Sequence, residues 1–269
     1  MSKLFLSEIF IYPVKSLGGI NLKISEVEPR GLRYDRRWML VDEKGKFLTQ
    51  RIYPQMALIS VELEDNRLEF NHTTTGSSFA LNLEEVTNNE IDVIIWNDKV
   101  IANIVSEKAN EWFSDTLGIK CRLVYMNDNT IRPVDKNYSH NNEVVSFADA
   151  FPFLIIGQSS LDDLNSRLQT KLPMNRFRPN LVFTGGEPFA EDRIKSFSIG
   201  DITFYPVKPC ARCVVTTIDQ QTGIKSEEPL RTLSTYRTFN NKINFGQNLI
   251  HKGTGFISVG DELKIIEQK

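Results

Sequence analysis

The amino-acid sequence predicts a β-rich α+β fold, and three observations carry the prediction. Short runs of Val, Ile, Leu and aromatic residues, broken by Gly, Asn and Asp, fill the first half of the chain. One stretch, 106–117, spaces Ala109, Trp112, Phe113 and Leu117 three and four residues apart, as one face of a helix requires. From residue 151 an apolar run passes into Ser159, Ser160 and leucines at helical spacing, the pattern of a strand feeding a helix.

In order, segments 4–12, 38–42, 56–63, 67–70, 92–96 and 99–104 each predict a strand, and together an antiparallel sheet or barrel. Turns fall at 42–45 and at Asn97-Asp98, and 73–78 reads as a hairpin turn. The helix at 106–117 ends at Gly118 and marks a boundary, giving domains 1–120 and 121–269. Segment 122–125 predicts a strand, with Cys121 beside it in a core-packing context. The polar loop 127–142 has few apolar anchors, which predicts a mobile segment bordering a site. Segment 151–157 predicts a strand, and Ser159 or Ser160 the N-cap of a helix through Leu161, Leu164 and Leu168. Strands return at 181–184, 196–199, 202–206, 214–218 and 263–266. His72, His140 and His251 fit no ligand spacing and are expected at surface or loop positions.

The 269 residues, 30.8 kDa, suffice for two domains or one large one. With 32 Lys and Arg against 34 Asp and Glu the net charge is −2 and the pI about 6.0, so no nucleic-acid binding is expected. Apolar residues at 41% and charged residues at 25% exclude the disordered and collagen-like classes. Segment 1–17 lacks a long apolar core with a cleavage site, and no stretch approaches the roughly 18 uncharged apolar residues of a membrane span. A cytoplasmic protein without membrane contact is therefore expected. There, the three cysteines Cys121, Cys210 and Cys213 predict thiol or metal chemistry rather than a disulfide framework.

The pair in Lys208-Pro209-Cys210-Ala211-Arg212-Cys213 has the C-x-x-C spacing used for zinc, redox dithiols and iron–sulfur clusters. Zinc lacks further ligands, since only Cys121 and three unpaired His remain. A thioredoxin-like pair sits at a helix N-terminus, whereas the β-branched run 214–218 predicts a strand. Iron–sulfur clusters generally take four thiolates, and this chain has three cysteines. What remains is one thiolate at the mouth of a strand, with Arg212 and Lys208 nearby to favour it, suited to a soft metal centre. The alternative is that both cysteines are small buried apolar residues.

A second cluster, Asn175-Arg176-Phe177-Arg178-Pro179-Asn180, combines guanidinium forks that bind phosphate or carboxylate with an amide that can pair with a heterocycle edge. Two further basic sites are Lys15, near a strand end after Tyr12-Pro13, and Arg36-Arg37, expected on opposite faces of a strand. Singly, each of these residues reads as a salt bridge or a solvated charge.

Six segments occur in a recognisable order: Tyr12-Pro13-Val14-Lys15-Ser16; Gly31 through Asp35-Arg36-Arg37-Trp38; Ser146-Phe147-Ala148-Asp149; the leucines Leu161, Leu164 and Leu168; Asn175 through Asn180; and Pro209 through Cys213 with Thr216-Thr217. Together they resemble the MOSC family with its N-terminal β-barrel companion domain, over nearly the whole chain. The mitochondrial amidoxime-reducing component and the C-terminal part of molybdenum cofactor sulfurases share this arrangement. The resemblance implies an N-terminal β-barrel-like domain followed by a mixed β-barrel with a few helices.

It also implies a molybdenum cofactor, a pyranopterin dithiolene whose metal takes one protein cysteine, and Cys213 rather than Cys210 matches that ligand. Lys15, Ser16 and Arg36 match positions that hold the cofactor from the first domain, and Arg178, Asn180 and Arg212 match positions that hold it from the second. The implied activity is reduction of N-hydroxylated or N-oxygenated small molecules, with Cys213 as the catalytic metal ligand. Electrons are expected from a separate ferredoxin- or cytochrome-type donor with its reductase, because no iron–sulfur motif is present. Pyridoxal phosphate is not expected, since the desulfurase half of the sulfurases has no counterpart here. The alternative reading is a carrier of the cofactor, or of a Cys213 persulfide, without turnover of its own. Asp149 receives no role, and Ser159 or Ser160 would present a helix N-terminus to the cofactor.

Overall fold

The computed structural model describes residues 3–269. Met1 and Ser2, part of the segment read above for targeting, lie outside them. Seven strands close into a mixed barrel, running Phe153–Gly157, Leu181–Thr184, Leu4–Ile11, Glu262–Gln268, Ile194–Ile199, Ile202–Ala211 and Lys242–Lys252 before returning to Phe153–Gly157. Large apolar side chains alternate inward along these strands, and Leu6, Ile9, Phe153, Phe183, Phe197 and Phe204 fill the interior. The parallel pair is Phe153–Gly157 with Leu181–Thr184. The helix Gln158–Ser166 makes their crossover, so the expected strand–helix unit is present.

The first half builds a four-stranded sheet, Trp38–Val41, Arg122–Tyr125, Asp98–Ile104 and Glu90–Ile95, and a three-stranded meander, Ile59–Glu64, Arg67–His72 and Ser78–Asn82. The helix Glu107–Leu117 packs Ala109, Phe113 and Leu117 against both. Ser106 caps its start, its hydroxyl accepting from the Ala109 N–H at 3.3 Å, and Gly118 ends it in the left-handed region at φ 65°. The β-rich α+β prediction therefore holds, with three α-helices among the described residues.

Hydrogen bonding crosses position 120 in both directions. Leu4–Ile11 belongs to the barrel of the second half, Arg122–Tyr125 to the sheet of the first, and Gly255–Ser258 pairs with Ile24–Glu28.

Several local expectations are corrected. Residues 214–218 do not form a strand: Val214–Thr217 is a 3-10 turn, because the Thr216 and Thr217 hydroxyls donate to the Cys213 and Val214 carbonyls and draw the backbone into a tight coil. Gly157, not Ser159 or Ser160, caps the second helix; the Ser160 hydroxyl donates to Glu191 instead, and Leu168 lies beyond the helix end. The stretch 56–63 divides into a 3-10 turn, Pro54–Leu58, and a strand, Ile59–Glu64, since Pro54 seeds the turn. His72 and His251 are buried in strands, His251 with Nε2 3.0 Å from the Glu28 carbonyl, while His140 lies in a loop against Tyr205. The strand Lys242–Lys252 forms without a clear strand signal in the sequence, because Asn, Gln and Gly interrupt its apolar alternation.

Candidate functional site

Segments 12–16 and 35–38 run side by side: the Lys15 N–H donates to the Trp38 carbonyl, Arg36 N–H to Tyr12 and Trp38 N–H to Pro13. The buried Asp35 carboxylate accepts from the Tyr12 N–H at 2.8 Å and from Arg36 Nη1 at 2.6 Å, which locks the two segments together. Ser16, Arg36 and Arg178 have left-handed backbones at φ 69°, 50° and 55°. Such conformations cost about 1–3 kcal/mol each and persist where surrounding contacts enforce them, a pattern typical of functional sites. Arg36 therefore precedes the strand Trp38–Val41 instead of lying on it, and Arg37 turns away to the Met126 carbonyl and Asp128.

Lys15, Ser16, Arg36, Arg178, Asn180, Arg212 and Cys213 all line one cleft, to which both halves of the chain contribute. Arg36 and Arg178 both lie over the Tyr12 ring, their guanidinium carbons 4.3 and 4.1 Å from its centroid. Burial pushes the Tyr12 phenol up to about 12, against the pull of the two arginines, so it stays neutral and donates to the Pro179 carbonyl. Burial likewise brings Arg178 down to about 10, still charged at neutral pH. The Asn180 amide is committed to the protein: it donates to the Phe10 carbonyl and accepts from the Leu154 N–H and Arg36 Nη1. It positions Arg36 rather than offering a free edge to a heterocycle.

Cys213 follows the strand Ile202–Ala211 and caps the 3-10 turn Val214–Thr217. The Thr216 N–H and hydroxyl both donate to its carbonyl, at 3.1 and 2.9 Å, fixing the backbone behind a sulfur that lines the cleft. The flanking cations do not act as the sequence suggested. Arg212 Nη1 lies 2.9 Å from the Cys210 sulfur and Nη2 donates to the Phe177 carbonyl, while Lys208 lies over the Tyr138 ring. The guanidinium at Cys213 belongs to Arg51, whose Nε is 3.4 Å from Sγ.

Asp149 faces Lys15 at 2.5 Å and Arg51 at 3.6 Å and accepts from the Trp96 indole N–H at 3.3 Å. The cleft walls push its carboxyl up by desolvation, but Lys15 and then Arg51 and Trp96 outweigh this and hold it well below the usual carboxylate range. Burial pushes the Lys15 ammonium down and Asp149 draws it back up. The loop 127–142 is anchored by a polar residue: buried Arg132 donates to the Ser146, Ala148 and Asp149 carbonyls and to Asp98, which presents Asp149 to the cleft. Arg51, Trp96 and Arg132 escaped the sequence reading because a lone charge or aromatic in a loop carries no periodic signal.

The lining thus holds five cations, Lys15, Arg36, Arg51, Arg178 and Arg212, against one carboxylate, Asp149. The Arg212 Nε is buried without a hydrogen-bond partner. A cationic concavity with an unspent donor and a thiol suits an anionic ligand that also carries a soft metal.

Comparison with known proteins accords with this geometry. Residues 3–120 match the model of the MOSC N-terminal beta barrel domain, and residues 142–264 that of the MOSC domain. The chain is 33% identical to mitochondrial amidoxime-reducing component 1 of Mus musculus, over 98% of this chain and 82% of that protein. This chain belongs to the MOSC family. The human amidoxime-reducing component 1 is 30% identical over 98% of this MOSC chain and 83% of its own length. The molybdenum cofactor sulfurase of Oryza sativa is 33% identical over 91% of this chain, which spans only 32% of that protein. Among the described residues of this MOSC protein, no helix is long and apolar enough to cross a membrane.

Proposed function

We propose that this MOSC protein is a molybdenum-cofactor-dependent oxidoreductase that reduces N-hydroxylated or N-oxygenated small molecules, with Cys213 as the protein ligand to the metal. The observation that carries the reading is the convergence of seven residues, singled out from both halves of the sequence, on one cationic cleft around the Cys213 sulfur. Arg36, Arg178 and Arg212, with Lys15, would offset the negative charge of the cofactor's phosphate and dithiolene, while Ser16 and Asn180 shape the wall. When bound, the cofactor would supply the two-electron reducing chemistry that N–O cleavage needs. Overall the N–O bond breaks, two electrons and two protons enter, and water leaves. Asp149, held ionised by Lys15 and Arg51, fixes those cations and has no proton to give at neutral pH.

The electrons are proposed to come from a separate ferredoxin- or cytochrome-type donor. We further propose sequence units 1–120 and 121–269, joined by the exchanged strands described above.

Metal and oxidised-pterin analysis of protein from a molybdate-supplied host tests the assignment. Near-stoichiometric molybdenum and pterin are expected in the wild type, with metal lost or its coordination altered, and turnover of an amidoxime abolished, in Cys213→Ala. Full activity in that variant would sink the ligand assignment. Release of intact cofactor to an apo-acceptor without turnover, or an extra sulfur on Cys213 by mass spectrometry, would support a carrier instead.

A further inference from the structure

We propose that Arg51 is the positioning residue for the Cys213 sulfur and that Trp96 holds it in place. The proposal rests on the reading of Cys213 as metal ligand. Arg51 stands 162 residues from Cys213, in the other half of the chain, yet its Nε–H points at Sγ from 3.4 Å. The other guanidinium beside the cysteine pair does not meet Cys213, since Arg212 directs Nη1 to the Cys210 sulfur and Nη2 to the Phe177 carbonyl.

Arg51 is fixed from both ends. Its guanidinium carbon lies 4.3 Å from the centroid of the Trp96 ring, and its Nη2 is 3.6 Å from Asp149. Its carbonyl accepts from Lys225 Nζ at 3.0 Å. The preceding Gln50, fully buried, exchanges two amide hydrogen bonds with Gln220 at 3.2 and 3.1 Å and donates to the Ser16 carbonyl at 2.8 Å. A side chain clamped in this way has little rotamer entropy left to lose when it binds sulfur.

Trp96 is the less expected part. It lies between the strands Glu90–Ile95 and Asp98–Ile104 with φ 55°, a conformation that bulky residues avoid. The strained turn brings its ring over Arg51, its indole N–H to Asp149 at 3.3 Å and its ring into a T-shaped contact with Phe47, with ring centroids 4.9 Å apart. One residue thereby sets both the cation on the sulfur and the carboxylate that pairs with it.

An N–H donated to a metal-bound thiolate draws electron density from the sulfur, raises the reduction potential and fixes the direction in which the sulfur meets the metal. Lysine at position 51 would keep the charge but lose the Nε–H and the planar face that stacks on Trp96.

Two arms test the proposal. In cofactor-bound protein, Arg51→Lys is expected to keep molybdenum and pterin content. It should lower the midpoint potential and reduce kcat about tenfold, with KM held within about twofold. Trp96→Ala should lower the potential in the same direction, and Trp96→Phe, which keeps a ring over Arg51, should restore it.

In cofactor-free protein with isotope-labelled arginine, the Arg51 Nε–H signal is identified by its loss in Arg51→Lys. Its exchange with water should accelerate about tenfold in Cys213→Ala and in Trp96→Ala. A wild-type Nε–H that exchanges as fast as in Cys213→Ala, or a potential indifferent to Arg51→Lys in metal-replete protein, overturns the proposal while leaving the molybdenum reading intact. A slowly exchanging Nε–H in a wild type that binds no molybdenum overturns the molybdenum reading and leaves the Arg51–Cys213 contact standing.

Discussion

Glu191 shows at the scale of one residue how burial sets chemistry in this protein. Its side chain is 1% exposed, and its carboxyl accepts from the Ser160 hydroxyl at 2.9 Å and the Gly157 N–H at 3.3 Å. Burial outweighs these bonds and pushes it up to about 7, with Asp192 adding a like charge. The folded chain therefore binds this proton more tightly than the unfolded chain, and stability falls as pH rises from the unfolded value toward about 7. Glu191→Gln should gain stability over the wild type as pH rises across that window, by up to about 3 kcal/mol at the alkaline end. Urea unfolding at about pH 5 and about pH 8 checks this, and a pH-independent difference would refute it. At the cleft, Asp149→Asn leaves buried Lys15 without its carboxylate partner, so Lys15 should shed its proton at lower pH and cofactor retention should fall. Molybdenum content of the purified variant reads this out, and retention equal to wild type would contradict it.

At the scale of the element, the helix Glu107–Leu117 is specified at both ends. Ser106→Ala removes the hydroxyl that accepts from the Ala109 N–H and should cost about 1 kcal/mol. Gly118→Ala introduces a Cβ that meets nothing within 4 Å, so its cost, about 1 kcal/mol, comes from the left-handed backbone alone. The caps sit at opposite ends of the helix and share no partner, so the double variant should lose the sum. Denaturant midpoints measure all three. The turn Val214–Thr217 illustrates the opposite case. Its Val-Val-Thr-Thr composition favours a strand, but side-chain hydroxyls bonded back to the Cys213 and Val214 carbonyls, and termination of strand pairing at Ala211, override that preference. In the strand Lys242–Lys252, Gly246 has φ 81°, and a Cβ there would come within 2.8 Å of the Ile155 carbonyl. Only glycine lets the two strands approach so closely.

At the scale of the whole molecule, the exchanged strands make the halves depend on each other. Removing residues 1–11 would open the barrel and expose the paired edges of Leu181–Thr184 and Glu262–Gln268. The fragment 121–269 alone is therefore expected to lack a cooperative unfolding transition, while the full chain unfolds in one step with coincident fluorescence and circular dichroism. Two separated transitions in the full chain would show that the strand exchange does not couple the halves.

By itself the sequence determined the local elements whose signals are periodic or capped, such as 106–117, 122–125 and 181–184, and the motif residues Lys15, Ser16, Arg36, Arg178, Asn180, Arg212 and Cys213. It did so because helix spacing, turn residues and short motifs are properties of neighbours in the chain. Tertiary structure decided that Leu4–Ile11 completes the second half's barrel and that Arg51 rather than Arg212 meets the Cys213 sulfur. It also decided that Asn180 is committed to Phe10 and Arg36, and that Trp96 and Arg132 frame Asp149. These contacts join residues far apart in sequence, where no local pattern records the partner and only the closing of the barrel brings the groups within bonding distance.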